Sequence, residues 1–351
     1  MLNRIRSILS LSQKRAQEGH HSLARQVTEM IALFLLRGVG PGYYQMAGFW
    51  RKELRWVEKA SHLTRREYQR VLKDLNPEDY RKLSQNKLAE KAILSLFSLP
   101  TPAFLGRLSA YSGLDRDGMP LKSAEDLEAF IQSKKLQHLV FKELEGAGGK
   151  GVKIIEISST DPPRCRPVSG GTFESIEAYC ESSLQLRAGG DWLIEEYLVQ
   201  HPVIARLNPT SVNTIRIWVL RTTPTLSEVL VAYLRIGRAG SWVDNVASGG
   251  FIAPIDVNSG SLGPGQEAAA TRRYHPTHPD HGAIIEGLEV PYWKEVVQVA
   301  QVALAAFPGL RFAGLDIAIG EHGPMVVELN VVPDREGAGR LDGAAFRKLR
   351  S

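Results

Sequence analysis

The feature that most limits what this chain can become lies near its end. Residues 312–319 read Phe-Ala-Gly-Leu-Asp-Ile-Ala-Ile, residues 321–323 Glu-His-Gly, and residues 324–333 Pro-Met-Val-Val-Glu-Leu-Asn-Val-Val-Pro. Two strongly apolar, β-branched runs around a tight glycine turn predict a hairpin. The two-residue period of a strand puts Glu328 and Asn330 on one face. If the strands pair symmetrically about His322, Asp316 lies opposite Glu328. Two carboxylates facing each other in apolar surroundings repel, and their desolvation is costly. A divalent cation removes the conflict, and carboxylate plus amide oxygens without Cys or His suit Mg²⁺ (or Mn²⁺) bridging nucleotide phosphates. Asp316, Glu328 and Asn330 are the expected metal set; the alternative is unrelated acids on an edge strand. On this reading Asp316→Asn and Glu328→Gln stop turnover with little loss of fold.

The chain is long enough to build a cleft around such a site. Its 351 residues suggest two or three packed units of about 150 residues each. Hydrophobic residues make up 43% and charged residues 23%, the balance of a soluble globular protein. No run approaches the ~20 apolar residues of a membrane span; the best, residues 30–36, is far shorter. The start, with Arg4 and Arg6 before Ile8 and Leu9, lacks the apolar run and cleavage site of a secretory signal. Cys165 and Cys180 build no disulfide framework, so a reducing cytoplasm is expected. The net charge of +5 is concentrated in the first 90 or so residues, on segments of helical pattern. That excess reads as solvated helix faces, and without a nucleic-acid-binding signature the expected partners are anionic small molecules.

Residues 22–37 carry apolar side chains at helical spacing and stop at Gly38-Val-Gly-Pro-Gly42. Further helices are expected over 44–59, 65–75, 77–83 and 86–97, which makes the first 95 or so residues all helical. After Pro100 the pattern changes. Strands are expected over 138–142, 152–157, 192–198, 214–220, 229–236, 311–319 and 325–331, and helices over 123–132, 173–181 and 292–307. The order, α followed by mixed α and β with many hairpins, does not suit a simple Rossmann sheet.

Gly146-Ala-Gly-Gly-Lys-Gly151 satisfies GxGxxG, yet the dinucleotide reading needs a helix after it, and residues 152–157 are β-branched and alternating. Strand, glycines and strand make a hairpin whose tip brings backbone N–H groups close to phosphate oxygens, with Lys142 beside it. The loop reads as a lid over a triphosphate or as a plain glycine-rich turn. Arg216 and Arg235 lie inside runs that read as buried strands, where a guanidinium needs an anion. Structural ion pairs answer that need, as does a γ-phosphate or acyl phosphate.

With these residues in hand, the chain resembles the ATP-grasp superfamily, most closely its sugar-transfer-associated branch (α-L-glutamate ligase-like). The match runs over 86–333: Asn86-Lys87, Leu99-Pro-Thr-Pro102, Phe141-Lys142 with the lid, Leu193-Ile-Glu-Glu-Tyr-Leu198, Ser211-Val-Asn-Thr-Ile-Arg216, Asp244-Asn245 with Gly249-Gly250, and the acidic hairpin. The resemblance implies an α+β ATP-grasp fold, two lobes clasping ATP, behind a helical region over 1–85. The lobes are expected over 86–200 and 201–351. It implies that Lys87 and Lys142 contact the phosphates from different lobes and that Gly148, Gly149 and Gly151 form the lid. Glu195, Glu196, Tyr197 and Leu198 become the hinge that reads adenine, and His201 or a neighbour reaches the ribose. Asn213 is placed near metal and phosphates, and residues 244–250 near the acceptor. Leu315 stands where the family often has Trp, and the first 85 residues offer nothing like the α/β domain that precedes the core in D-alanyl ligases.

The implied reaction is ATP-dependent ligation of a small-molecule or peptide carboxylate to an amine through an acyl phosphate, with Arg216, Arg235 and Asn213 as the expected catalytic residues. The rivals are a kinase acting on a sugar or polyol hydroxyl and a non-catalytic nucleotide-binding accessory. His275, His278 and His281 sit in a run broken by two prolines, which favours an irregular substrate-side loop over a zinc site.

Overall fold

The computed structural model describes residues 2–145, 151–242, 244, 249–267, 273–341 and 344–350. Helices α1 (Leu2–Gln17), α2 (Leu23–Arg37), α3 (Pro41–Met46), α4 (Trp56–Ser61), α5 (Arg65–Leu75), α6 (Glu78–Gln85) and α7 (Lys87–Leu96) come first. Local chemistry sets several of their ends. Ser22, Thr64 and Asn86 accept from first-turn amides of α2, α5 and α7, and Glu67 completes a capping box with Thr64. The helix expected over 44–59 is broken instead: α3 stops at Met46 and α4 starts at Trp56. Between them Gly48 turns the chain with φ of 69°, a conformation that suits glycine.

The first sheet is built from β1 (Phe104–Ser109), β2 (Leu114–Asp115), β3 (His138–Glu143), β4 (Val152–Ile157), β5 (Arg164–Pro167), β6 (Glu174–Ser175) and β7 (Asp191–Glu195), with α8 (Ala124–Lys134) and α9 (Ile176–Ser182) between them. Its order is β2-β1-β7-β3-β4-β5-β6. Phe141, Ile155 and Ile194 pack with Leu127 of α8 and Tyr179 of α9. The strand period therefore turns Lys142 and Glu195 to the opposite face. β3 and β4 pair as the expected hairpin, with Lys142 opposite Val152; its tip, including Gly148 and Gly149, lies outside the described residues.

The second sheet follows α10 (Pro202–Ala205). It contains β8 (Thr214–Arg221), β9 (Ser227–Ile236), β10 (Phe251–Ile255), β11 (Gly265–Glu267), β12 (Tyr274–His275), β13 (Phe312–Gly320) and β14 (Gly323–Asn330), with α11 (Trp293–Ala306) before β13 and α12 (Arg335–Gly339) and α13 (Ala344–Lys348) after β14. The order is β12-β11-β10-β9-β8-β13-β14. One face packs Leu315 and Ile317 against Ala300 and Leu304 of α11. The other packs Trp218 and Phe312 against Tyr68 and Leu72 of α5 and Phe346 of α13. Cover on both faces is why β8 and β13 read as continuous apolar runs and not as alternating ones.

The packing does not divide where the sequence suggested. Leu94 of α7 and Leu99 belong to the core of the second sheet, so α7 is a wall of the second lobe and not the start of the first. Nor is the region before residue 86 separate. Asn76 is fully buried, and its side-chain amide donates to Phe312 O (2.7 Å) and Val331 O (2.9 Å) while its oxygen accepts from the Arg311 and Phe312 amides (both 3.1 Å). One side chain thus pins β13 and the end of β14 together.

A candidate active site between the two sheets

The acidic hairpin forms, with Asp316 directly opposite Glu328 and Asn330 opposite Gly314. The turn itself is centred between Glu321 and His322, since Gly320 pairs with Gly323. Continued regularly, that register would set Asp316 opposite Val327; a bulge between Asp316 and Ile317 moves the pairing by one and brings the carboxylates together.

Neither carboxylate is left bare. Arg216 stands opposite Asp316 on β8 and grips it with two bonds, Nε to Oδ1 at 2.5 Å and Nη2 to Oδ2 at 3.1 Å. Arg235 adds Nη2 to Oδ2 at 2.9 Å. Arg235 also reaches Asp244 at 3.3 Å, and Asp244 Oδ2 accepts from the Thr214 amide (2.9 Å) and hydroxyl (2.5 Å). Burial alone would raise Asp316, but Arg216 and Arg235 hold it below the usual carboxylate range. Both arginines thus take their anion from within the chain, the ion-pair reading, and do so at the expected metal residue.

Glu328 pairs with Lys87 at 2.8 Å. Burial would lower this lysine, but Glu328 raises it above its ordinary value. Lys87 opens α7, and positions 87, 90, 91 and 94 form one stripe of that helix. Its members all turn inward. Glu90 is buried and accepts from the Leu329 amide at 3.2 Å; burial foremost, and then Glu328, push its carboxyl up to about 8. Lys91 donates to Thr101 Oγ1 (2.6 Å) and Pro102 O (2.7 Å) and meets Glu195 Oε1 at 2.5 Å. The other Glu195 oxygen meets Lys142 at 2.6 Å. Glu195 therefore sits between two lysines, which outweigh its burial and lower it. Sequence reasoning missed Glu90 and Lys91. The signal was present: the Asn86 cap fixes the helix phase, which places both on the stripe that carries Leu94.

The expected hinge leaves the sheet at Glu195, not at Leu198. Glu196 is tied to Ala103, its amide donating to the carbonyl (3.1 Å) and its carboxylate accepting from the amide (2.9 Å). Tyr197 stacks on His138 at 4.8 Å and Leu198 is buried. Among the described residues the amides of Tyr197 and Leu198 meet no acceptor. His201 caps α10, its Nδ1 accepting from the Val203 amide at 3.2 Å. Asn213 is fully buried, and its nitrogen donates to Gln200 Oε1 (3.1 Å) and Asn208 O (3.0 Å); it ties down the 200–213 loop, and no bond joins it to the Asp316 cluster. Gly151 closes the base of the lid hairpin, where an added Cβ would lie 2.6 Å from Glu143 Oε2.

The oxygen donors suit a hard divalent cation. Asp316, Glu328 and Asn330 share one face, and Asn330 Nδ2 is buried without a partner, so that amide turned over presents an oxygen in its place. Among the described residues no group of three or more His, Cys, Asp and Glu is placed to hold a metal; the set proposed here is two carboxylates and an amide. The histidine loop is otherwise engaged. His278 and His281 stack at 3.8 Å and their Nε2 atoms lie 3.0 and 2.9 Å from Gly237 O and Leu207 O, while His275 meets Glu267.

The sugar-transfer associated ATP-grasp family matches residues 65–339. The chain belongs to that family. The match starts at α5, earlier than the sequence resemblance suggested, in keeping with the packing of α5 on the second sheet. This ATP-grasp protein is thus α+β, two antiparallel sheets behind a helical region. Similar solved structures include D-alanine–D-alanine ligase of Bacillus anthracis (15% identity, TM-score 0.42, 76% of this chain and 66% of that one). They also include biotin carboxylase of Campylobacter jejuni (11%, TM-score 0.48, 85% and 52%) and L-amino acid ligase of Bacillus licheniformis (13%, TM-score 0.40, 74% and 43%). The ATP-grasp chain therefore spans just under two thirds of the first and about half of the others. No curated protein matches it.

Proposed function

We propose that this ATP-grasp protein is a Mg²⁺- and ATP-dependent ligase that activates a small-molecule or peptide carboxylate as an acyl phosphate and passes the acyl group to an amine. The observation that carries this reading is Asp316 facing Glu328 inside a ring of Lys87, Arg216 and Arg235. Lys87, Lys91, Lys142, Arg216 and Arg235 are already paired with Glu328, Glu195, Asp316 and Asp244, while Glu90, raised to about 8, stays protonated at neutral pH. A triphosphate of charge about −4 finds little uncommitted positive charge there, and its binding requires a cation to accompany it. Asp316, Glu328 and Asn330 would hold Mg²⁺, which would supply that positive charge.

The chain's own groups then do the rest. Tyr197 and Leu198 offer backbone to adenine, with Glu195 and Glu196 fixing the segment and His201 at its end. Lys142, Lys87 and the lid glycines hold the phosphates, while Arg216 and Arg235 keep Asp316 oriented and offset charge on the transferring group, with Asn213 fixing the adjacent loop. A carboxylate oxygen attacks the γ-phosphorus and ADP leaves. The amine nitrogen next attacks the acyl carbon, the bond to phosphate breaks, and the amine proton goes to solvent. A kinase needs a free general base, and the best-placed acid, Asp244, has Oδ2 committed to Thr214 and Arg235, which favours the ligase.

Among the described residues no helix is long and apolar enough to cross a membrane, and two buried free cysteines suit the cytoplasm. The test is a survey of carboxylates and amines for ADP release, followed by trapping. Hydroxylamine is expected to give a hydroxamate, and carboxylate oxygen-18 to appear in released phosphate. A stable phosphorylated alcohol without label transfer assigns the protein to the kinases instead.

A further inference from the structure

Helix α2 buries two polar side chains and leaves four large apolar ones outside. Its buried positions are Gln26, Glu29, Met30 and Leu33, whereas Ile31, Phe34, Leu35 and Leu36 are 55%, 58%, 74% and 71% exposed. Polar anchors fix this orientation. Gln26 Nε2 donates to Ser12 O (2.9 Å) and His21 O (2.6 Å). Glu29 accepts from Lys59 Nζ (2.7 Å), Tyr44 OH (2.8 Å) and Arg25 Nε (2.9 Å). Rolling the helix to hide its exposed apolar residues would strand a buried carboxylate and its lysine and would expose Met30 and Leu33 instead.

The patch extends to α1. Ser12 meets Gln26 in a helical hairpin whose two helices run antiparallel, so equal rise per residue sets Ile5 and Leu9, 47% and 40% exposed, beside the second half of α2. The charge around it is mainly positive, although Arg15, Arg25 and Arg37 pair with Glu18, Glu29 and Glu67. Residues 1–40 hold six Lys and Arg against two Glu, an excess of four within a chain whose net charge is +5, and one of those acids is the buried Glu29. Arg6 and Lys14 on α1 are exposed.

We infer that the α1–α2 hairpin is a docking face for an anionic phospholipid bilayer, lying in the headgroup layer with Phe34 and Leu35 inserted. Apolar insertion with flanking cations is what such a surface binds. A second copy of the chain is disfavoured, because a symmetric contact through this face would set like charges against each other.

The full chain is sedimented with phosphatidylcholine vesicles and with vesicles in which part of that lipid is replaced by phosphatidylglycerol. It is expected to pellet with the second kind only, less so as salt rises. Phe34→Ser with Leu35→Ser should cut that binding at least about tenfold, and Arg6→Glu with Lys14→Glu by a similar factor, with thermal midpoint and Mg-ATP binding unchanged. No pelleting with phosphatidylglycerol vesicles at low salt overturns the proposal, as does pelleting that the four substitutions leave untouched. A dimer in sedimentation velocity that Phe34→Ser and Leu35→Ser dissolve, without vesicle binding, gives the face to a second copy.

Discussion

At the scale of residues, the site is a chain of matched charges, and the pairing changes what single substitutions do. Asp316 is the only acid that bonds both Arg216 and Arg235 among the described residues, so Asp316→Asn leaves the buried Arg216 short of its anion and Arg235 with Asp244 alone. The early expectation of little loss of fold is therefore revised: about 3–5 kcal/mol of stability should go with the activity, read by urea unfolding. Glu328→Gln frees only the part-exposed pair with Lys87 and should cost under about 1 kcal/mol. Glu90 makes a pH-dependent contribution. Its carboxyl is raised from 4.5 to about 8, so the folded state holds a proton that the unfolded state releases. The stability it contributes is complete below about 4.5 and is lost as pH rises towards 8. Glu90→Gln keeps an acceptor for the Leu329 amide without titrating, and its unfolding free energy should depend less on pH over that window.

At the scale of elements, the hairpin β13–β14 shows how a correct expectation can rest on an incomplete premise. Symmetry about His322 put Asp316 opposite Glu328. The turn is in fact one residue tighter, and the bulge before Ile317 restores the pairing. The ends of the same two strands depend on Asn76, which uses both amide donors and accepts twice from backbone N–H groups. Asn76→Ala takes that partner from Phe312 N, Phe312 O and Val331 O, while the Arg311 amide keeps Leu75 O, and should cost about 3 kcal/mol or more. Because the strands carry the proposed metal set, Mg²⁺ affinity should fall as well; isothermal calorimetry with Mg-ATP measures it.

At the scale of the molecule, the region just before residue 86 is part of the same packed body as the second sheet. α5 covers the sheet face at Trp218 and Phe312, Tyr68 OH donates to Pro333 O at 2.8 Å, and Arg335 donates to Leu63 O at 2.6 Å. A chain begun at residue 86 exposes that face and should yield aggregated or molten protein by near-ultraviolet circular dichroism and gel filtration. A folded, ATP-binding truncation would show that the helical region is dispensable.

The sequence by itself determined the strands β3, β4, β7, β8, β9, β13 and β14 but not β1, β2, β5, β6, β10, β11 or β12, and it determined the β3–β4 hairpin, the face shared by Glu328 and Asn330, and the family. All of these follow from periodicity, turn residues or ordered motifs, which are properties of neighbours in the chain. Only the tertiary structure decided which charges meet. Lys87 finds Glu328 across 241 residues, Arg216 finds Asp316 across 100, and Arg235 finds the same carboxylate across 81. It also decided that α7 lines the second lobe and that α2 hides Glu29 and shows Leu35 and Leu36. A helix's period says which residues share a face but not which face is buried, and in α2 that choice was made by Lys59 and Tyr44 from other helices.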